Sequence, residues 1–252
     1  MIKFFRNIRK KLATEGKAIG YLRYAIGEIV LVVIGILIAL QVNNWNEQRK
    51  QSKSRKAYTE ALISDLEKDS VQLVDENRKL RGRLDDLERI KQRLSSPLAT
   101  IDTLNHIIKY EHDPSFVANI PFNRNTFSTL TSTGNLEFFE PEIAEAIQNY
   151  YQAATNSENY HTGQLNFYRN LFVEYLTNVP LPNRPESNPF DIIEQEKLEN
   201  ELWQEADIKR IHAIFRGQTS QQLNLFTYFE RGNEQLLDLN YKLINQLKTS
   251  LK

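Results

Sequence analysis

The sequence predicts an all-α protein in which one N-terminal transmembrane helix continues into a long stalk helix and then an antiparallel helical bundle. Three observations carry this expectation. Residues 29–40 are all apolar or glycine. Between residues 46 and 96 there is no proline and a single glycine, Gly82, while Leu66, Leu73, Leu80, Leu87 and Leu94 recur every seventh residue. Further on, apolar residues recur at helical spacing, and no stretch keeps the strict alternation of a strand. The expected divisions are a basic amphipathic cytoplasmic arm over 1–20, a transmembrane helix over 21–43, a stalk over 44–96 and an extracytoplasmic helical domain over 97–252.

The span rests on length and composition. Residues 21–42 form a stretch of 22, which at about 1.5 Å rise per residue reaches roughly 33 Å, enough for a hydrocarbon core of about 30 Å. Gln41, Asn43, Asn44 and Trp45 then make a polar and aromatic exit. A cleaved signal peptide would carry a shorter apolar core and a small-x-small cleavage site. Here Ala39 is followed by Leu40, Gln41 and Val42, so an uncleaved signal anchor is expected.

In the arm, Phe5, Ile8 and Leu12 share one helical face, and Lys3, Arg6, Arg9, Lys10 and Lys11 occupy the others. That pattern suits a helix lying on an anionic leaflet, and it also suits a plain topology signal. Before Glu28 there are seven basic residues and one acid, a net charge of +6; the whole chain is neutral, so the remainder carries −6. Positive charge stays inside, which places the N-terminus in the cytoplasm and the bulk of the chain outside it. Residues 46–56 carry a net +4 on the far side, so the bias is modest.

The totals exclude several classes. At 252 residues the chain has room for one span and one modest globular domain, and a mean hydropathy of −0.52 rules out a multi-span transporter. No global basic field exists to attract nucleic acid. With no cysteine, disulfides, thiolate metal sites and cysteine nucleophiles are absent from this chain.

Within the span, Gly27, Leu31, Gly35 and Ala39 recur every fourth residue, and Glu28, seven residues before Gly35, lies on the same side. Small residues at this spacing let two helices approach closely. An intramembrane acid is costly without a partner. Three readings stay open for Glu28: it snorkels to the inner interface near Arg23, it bonds across a helix pair, or it handles protons beside an ion-driven motor.

The opening M-I-K-F-F-R-x-I-R and the run Y-A-I-G-E-I-x-L-V-V-I-G-I-L-I-A-L-Q-V-N-N-W-N-E resemble an uncharacterised family of single-span envelope proteins of Gram-negative bacteria. Thr131-Ser132-Thr133-Gly134 with Asn135-Leu136, and later Gln148-Asn149-Tyr150-Tyr151, resemble its later signature. The resemblance covers the N-terminal fifth closely and the rest loosely. It implies a topology and no activity.

In the stalk, the leucine position of the seam is strong and the other, Ile63, Ser70, Asn77, Leu84 and Lys91, is mixed. One reading is a parallel coiled coil between subunits, with Asn77 fixing register. The other is the long arm of a bundle within one chain. Tyr58, Leu62 and Val74 widen the stripe, which favours the bundle for the outer half.

Ser95-Ser96-Pro97 ends the stalk. Short helices are expected over 98–110 and 124–133, the second stopped by Gly134. Pro141 opens a longer helix towards Leu176, with a kink at Gly163 as an option. The segment 179–189 holds four of the eight prolines and reads as a loop. The last helices cover 190–248, with an apolar face of Ile208, Ile211, Phe215, Leu225, Phe229, Leu236, Leu239, Leu243 and Leu247.

Chemistry is sparse. The four histidines, His106, His112, His161 and His212, form no H-E-x-x-H motif. One E-x-x-H occurs, Glu158 to His161, where a carboxylate-bridged metal bundle needs two copies. Glu111-His112-Asp113 reads as a solvated loop. No P-loop, G-x-S-x-G or G-x-G-x-x-G is present. Aromatics crowd the middle third, from Phe116 and Phe127 through Tyr150, Tyr151, Tyr160 and Tyr168 to Tyr175; they read as core, with a ligand groove as the alternative. No cofactor and no enzymatic activity is expected. The leading expectation is a membrane-anchored scaffold, adaptor or oligomerisation protein, partnered by itself or by another membrane protein. The alternatives are a periplasmic sensor or ligand-binding module, and an accessory subunit of an ion-driven membrane complex using Glu28.

Overall fold

The computed structural model describes residues 18–116, 121–180 and 196–251, and among these every regular element is helical. The elements are α1 (Ala18–Leu94), α2 (Ile101–Tyr110), α3 (Asn125–Thr133), a 3-10 turn (Asn135–Phe138), α4 (Pro141–Asn178), α5 (Glu196–Glu205) and α6 (Ile208–Ser250). The chain divides into two compact units, one ending at Ala57 and one beginning at Tyr58. Helix α1 runs through that division unbroken, as the lack of proline between 46 and 96 dictates.

The first unit, within its described residues, is the N-terminal part of α1. Its apolar side chains stand exposed all round: Ile29, Leu31, Ile34, Leu37, Ile38 and Leu40 are all largely accessible. A helix apolar on every side has no interior of its own to bury. This segment is long and apolar enough to cross a membrane. The basic arm, Lys3, Arg6, Arg9, Lys10 and Lys11, lies outside the described residues.

The second unit is built on the rest of α1 together with α4 and α6. Four clusters of buried residues run along it. Leu62, Ile63 and Leu66 of α1 meet Ile147, Tyr150 and Tyr151 of α4 and Leu243, Ile244 and Leu247 of α6. Next come Leu73, Ala154 and Leu236, then Leu80, Leu87, Tyr168, Leu225, Phe226 and Phe229. The last gathers Ile90, Ile107, Ile108, Tyr175, Val179, Ile211 and Phe215. As α1 numbers rise, α4 numbers rise and α6 numbers fall. Helix α6 is therefore antiparallel to both, and α1 and α4 run the same way. The chain between α1 and α4, carrying α2, the loop after it and α3, makes the return journey that lets α4 start again beside Leu62.

Local chemistry sets the boundaries. Helix α2 begins at Ile101 rather than at the expected Leu98 because Thr100 and Thr103 form a capping box: Thr103 N donates to Thr100 Oγ1 at 3.3 Å, and Thr100 N donates to Thr103 Oγ1 at 3.1 Å. Helix α3 stops at Gly134, whose φ of 74° lies in the left-handed region that favours glycine. Pro141 occupies the first turn of α4. Helix α4 continues as one element through Gly163. The Asp207 side chain caps α6 by accepting from Arg210 N at 3.1 Å. Most of the proline-rich loop and the start of the region expected to be helical from Phe190 lie outside the described residues.

Two expected apolar positions are corrected. Val74 and Leu239 are exposed rather than in the core. On α6 the interior position next to Leu239 is taken by Asn240, which is fully buried.

Candidate functional site

On α1, a Cβ added at Gly27 or Gly35 would meet nothing within 4 Å. Leu31 and Ala39 are exposed on the same helix. Glu28 is half-buried and engaged in an interaction.

In the second unit the seam leucines are covered by the chain itself. Leu66, Leu73, Leu80 and Leu87 are buried within the four clusters, and Leu94 is half-buried beside Ile90. Ile63, Ser70 and Asn77 of the mixed seam position are also buried, whereas Lys91 is exposed.

The interior also holds a row of polar residues that the sequence reading passed over. Asp69 is 0 % exposed, and its Oδ1 accepts from Asn123 N at 2.9 Å and Asn123 Nδ2 at 2.7 Å. Its Oδ2 accepts from the Tyr150 hydroxyl at 3.1 Å. Asn240 Nδ2 donates to the Leu66 carbonyl at 2.9 Å and to the Tyr150 hydroxyl at 3.2 Å. One turn earlier on α1, Asp65 Oδ2 accepts from the Thr126 hydroxyl at 2.6 Å. Burial raises the Asp69 carboxyl above its ordinary 3.8, opposed by the Asn123 and Tyr150 hydrogen bonds. The same burial, with the Asp69 charge adding to it, pushes the Tyr150 hydroxyl well up. The network ties α1, the start of α3, α4 and α6 to one another.

A second polar clamp holds the loop after α2. Arg83 pairs with the Asp113 carboxylate and also donates to the Asp113 and Ser115 carbonyls, at 2.5 and 3.2 Å. Gln222 Nε2 donates to the same two carbonyls at 3.0 and 3.1 Å. Gln218 Nε2 donates to the Pro114 carbonyl at 3.2 Å and the Tyr168 hydroxyl at 3.0 Å. His112 sits at the root of the loop, 5 % exposed, edge-on to Tyr175 and Phe215. Burial, helped by the nearby Arg83 cation, lowers its pKa to about 3. The expectation of a solvated Glu111-His112-Asp113 loop holds for the exposed Glu111 and Asp113 and is corrected at His112, which is buried. Glu111 pairs with Arg93, Asp113 pairs with Arg83, and the imidazole is core. Backbone carbonyls in a proline-containing loop have no helical partners, so side chains from three helices satisfy them, the third through the Tyr168 hydroxyl of α4, which donates to the Pro114 carbonyl at 2.8 Å.

The E-x-x-H pair is separated by function. Glu158 accepts from Phe122 N at 3.0 Å and from Arg124 at 2.5 Å. His161 instead stacks on Phe229, ring centroids 3.6 Å apart. Among the described residues, no group of three His, Cys, Asp or Glu side chains is arranged to hold a metal ion.

A family model described as a family of unknown function (DUF6090) matches residues 28–174. The match runs from Glu28 through α1, the Asn123–Arg124 turn and Tyr150 to within one turn of the end of α4. No curated protein and no solved structure matches the chain.

Proposed function

The chain belongs to that family of unknown function, and from this premise we propose that it is a non-enzymatic, single-pass membrane-anchored scaffold or adaptor. In this reading its apolar segment crosses the inner membrane of a Gram-negative bacterium. The N-terminus faces the cytoplasm and the helical bundle faces the periplasm. The span meets a second copy or another membrane protein.

One observation carries the reading: α1 has an apolar segment exposed on every side and continues without a break into the core of the bundle. Burying an aliphatic side chain is worth about 1.5–3 kcal/mol, so a row of exposed ones is stable only in lipid or against a partner. The +6 charge before Glu28 supports the orientation. The spacing of the small residues Gly27, Gly35 and Ala39, in multiples of four, supports a helix–helix contact in the span. Asp69, Asn240, Gln218 and Gln222, all buried, hold a carbonyl, a loop or a neighbouring helix, which is the work of a rigid support.

The test is purification of the full chain from native membranes in mild detergent, with crosslinking and native mass measurement. A defined oligomer or a co-purifying membrane protein is the expected outcome. A strict monomer with no companion protein overturns the proposal.

A further inference from the structure

Helices α4 and α6 part along one side to leave a cleft of about 410 Å³, within the range of about 300–1,000 Å³ typical of small-ligand pockets. Its lining contains no Asp, Glu, Lys or Arg among the described residues, although a quarter of the chain is charged. Charged ligands have nothing to pair with there.

What lines it instead is an apolar platform and a set of uncharged hydrogen-bonding groups. The Tyr160 and Tyr228 rings stack on one another, 4.3 Å apart at a 31° tilt, so each covers one face of the other; Tyr228, 52 % exposed, is the more open of the two. Below them is His161. It is 6 % exposed, its ring plane fixed by the stack on Phe229, and it makes no hydrogen bond to another described residue. Its ring nitrogens are not sealed from solvent, so they are free to bond what enters the cleft. Burial lowers its pKa to about 4, so at neutral pH the ring offers one donor and one acceptor. Ser157 and Gln235 add a hydroxyl and an amide to the same lining.

Gly232 supports the reading from the backbone side. It sits in the middle of α6, where glycine costs about 1 kcal/mol relative to alanine. A Cβ added there would meet nothing within 4 Å. Close helix packing therefore does not require it; what the missing side chain preserves is the space of the cleft.

We propose that this cleft binds an uncharged, polyhydroxylated ring of the sugar class, with the exposed Tyr228 ring, backed by Tyr160, as the stacking face and His161, Ser157 and Gln235 as hydrogen-bonding partners. A hydroxyl both donates and accepts, which matches a lining that mixes a neutral imidazole, a hydroxyl and an amide. The apolar face of such a ring lies against tyrosine. The site stands apart from the scaffold reading, since it uses neither the span nor a protein partner.

The test uses the full chain in detergent micelles, isotope-labelled at histidine, with the imidazole resonances followed during titration. The probes are the neutral disaccharides cellobiose, trehalose and diacetylchitobiose, with glucuronate and phenol as controls. The expected result is a saturable shift of the His161 signals with at least one disaccharide while His106, His112 and His212 stay in place. Gly232→Leu, which fills the cleft without touching the bundle interior, and Tyr228→Ser should each abolish the shift while the thermal unfolding midpoint is kept. Three results overturn the proposal: no His161 shift with any disaccharide, a shift that survives Gly232→Leu, or an equal or larger response to glucuronate or phenol.

Discussion

The Tyr150 hydroxyl donates to Oδ2 of Asp69 across 3.1 Å, with the two residues 1 % and 0 % exposed. A carboxylate so placed is tolerable only because every lone pair in use has a donor, two of them from Asn123. Asp69→Ala strands the Asn123 amide and the Tyr150 hydroxyl together, and should destabilise the bundle by about 2–4 kcal/mol. Tyr150→Phe leaves Asp69 with Asn123 and should cost about 1–3 kcal/mol. Denaturant unfolding of both variants and of the double variant measures this. Additive effects would show that the two side chains are not coupled.

The two buried histidines set the acid limb. His112 and His161 are lowered to about 3 and about 4, from 6.5, by burial first. Between those values the unfolded chain holds more protons than the folded one, so stability is full above pH 6.5 and falls as the pH drops towards 3. Each contributes up to about 1.4 kcal/mol per pH unit in that window. Asp69, raised above 3.8, acts the other way, costing stability as the pH rises past that value. The comparison is therefore between parent and variant. His112→Phe keeps the edge-on contacts with Tyr175 and Phe215 and should flatten the loss of unfolding midpoint between pH 7 and pH 5. An unchanged slope would mean that His112 takes up its proton equally in the folded and unfolded chain, so that burial does not lower its pKa.

Gly134 has a φ of 74°, and a Cβ there would meet nothing within 4 Å. The cost of Gly134→Ala is therefore the left-handed backbone alone, about 1–2 kcal/mol. Gly134→Asn should cost less, since asparagine tolerates that region better. Thermal unfolding of the pair separates backbone strain from packing: equal losses would point to a neighbour crowding the turn.

How much of this was legible beforehand follows from periodicity. On α6 one run of buried positions is 211, 215, 218, 222, 225, 229, 233, 236, 240, 243 and 247, in steps of three and four, with Phe226 and Ile244 buried beside it. The apolar members were read from the sequence, but Gln218, Gln222, Asn233 and Asn240 were passed over because hydrophobicity marked the face. Their spacing was the available signal. Leu239 was misplaced for the same reason: it is apolar and three from Leu236, yet Asn240 holds the inward position. The Gly134 stop and the Pro141 start were readable because each depends on one residue's backbone. The clamp on residues 111–116 was not, since Arg83, Gln218 and Gln222 converge only after α1 and α6 are packed. The cleft lining, drawn from two helices some seventy residues apart, was equally out of reach.

That clamp yields a prediction of local order. Arg83 is the only cation among the described residues bonded to Asp113, and it also holds two loop carbonyls. Arg83→Met keeps much of the aliphatic stem and removes the donors. Amide exchange over residues 111–116 should rise at least tenfold, equivalent to about 1.4 kcal/mol of lost local protection. Exchange in α4 near Tyr150 should stay as in the parent. A rise spread evenly over the whole bundle would mean that the loop is part of the global core.

The span makes a prediction independent of the bundle. Gly35 has open space above its Cα, and Ala39 lies one turn on. If a second helix packs on that face, a larger side chain pushes the two axes apart and removes the contacts that hold them. Gly35→Leu should then reduce detergent-stable association by at least tenfold, about 1.4 kcal/mol. Ile38→Leu, an apolar change of similar volume, should leave it intact. The bundle, a separate compact unit from Tyr58 onward, should unfold at the parental temperature in both variants. Crosslinking yield and thermal unfolding measured on the same samples decide it. Association that is unaffected by Gly35→Leu places the contact on another face of the helix or outside the span, because a side chain inserted into a close helix crossing cannot leave that crossing unchanged.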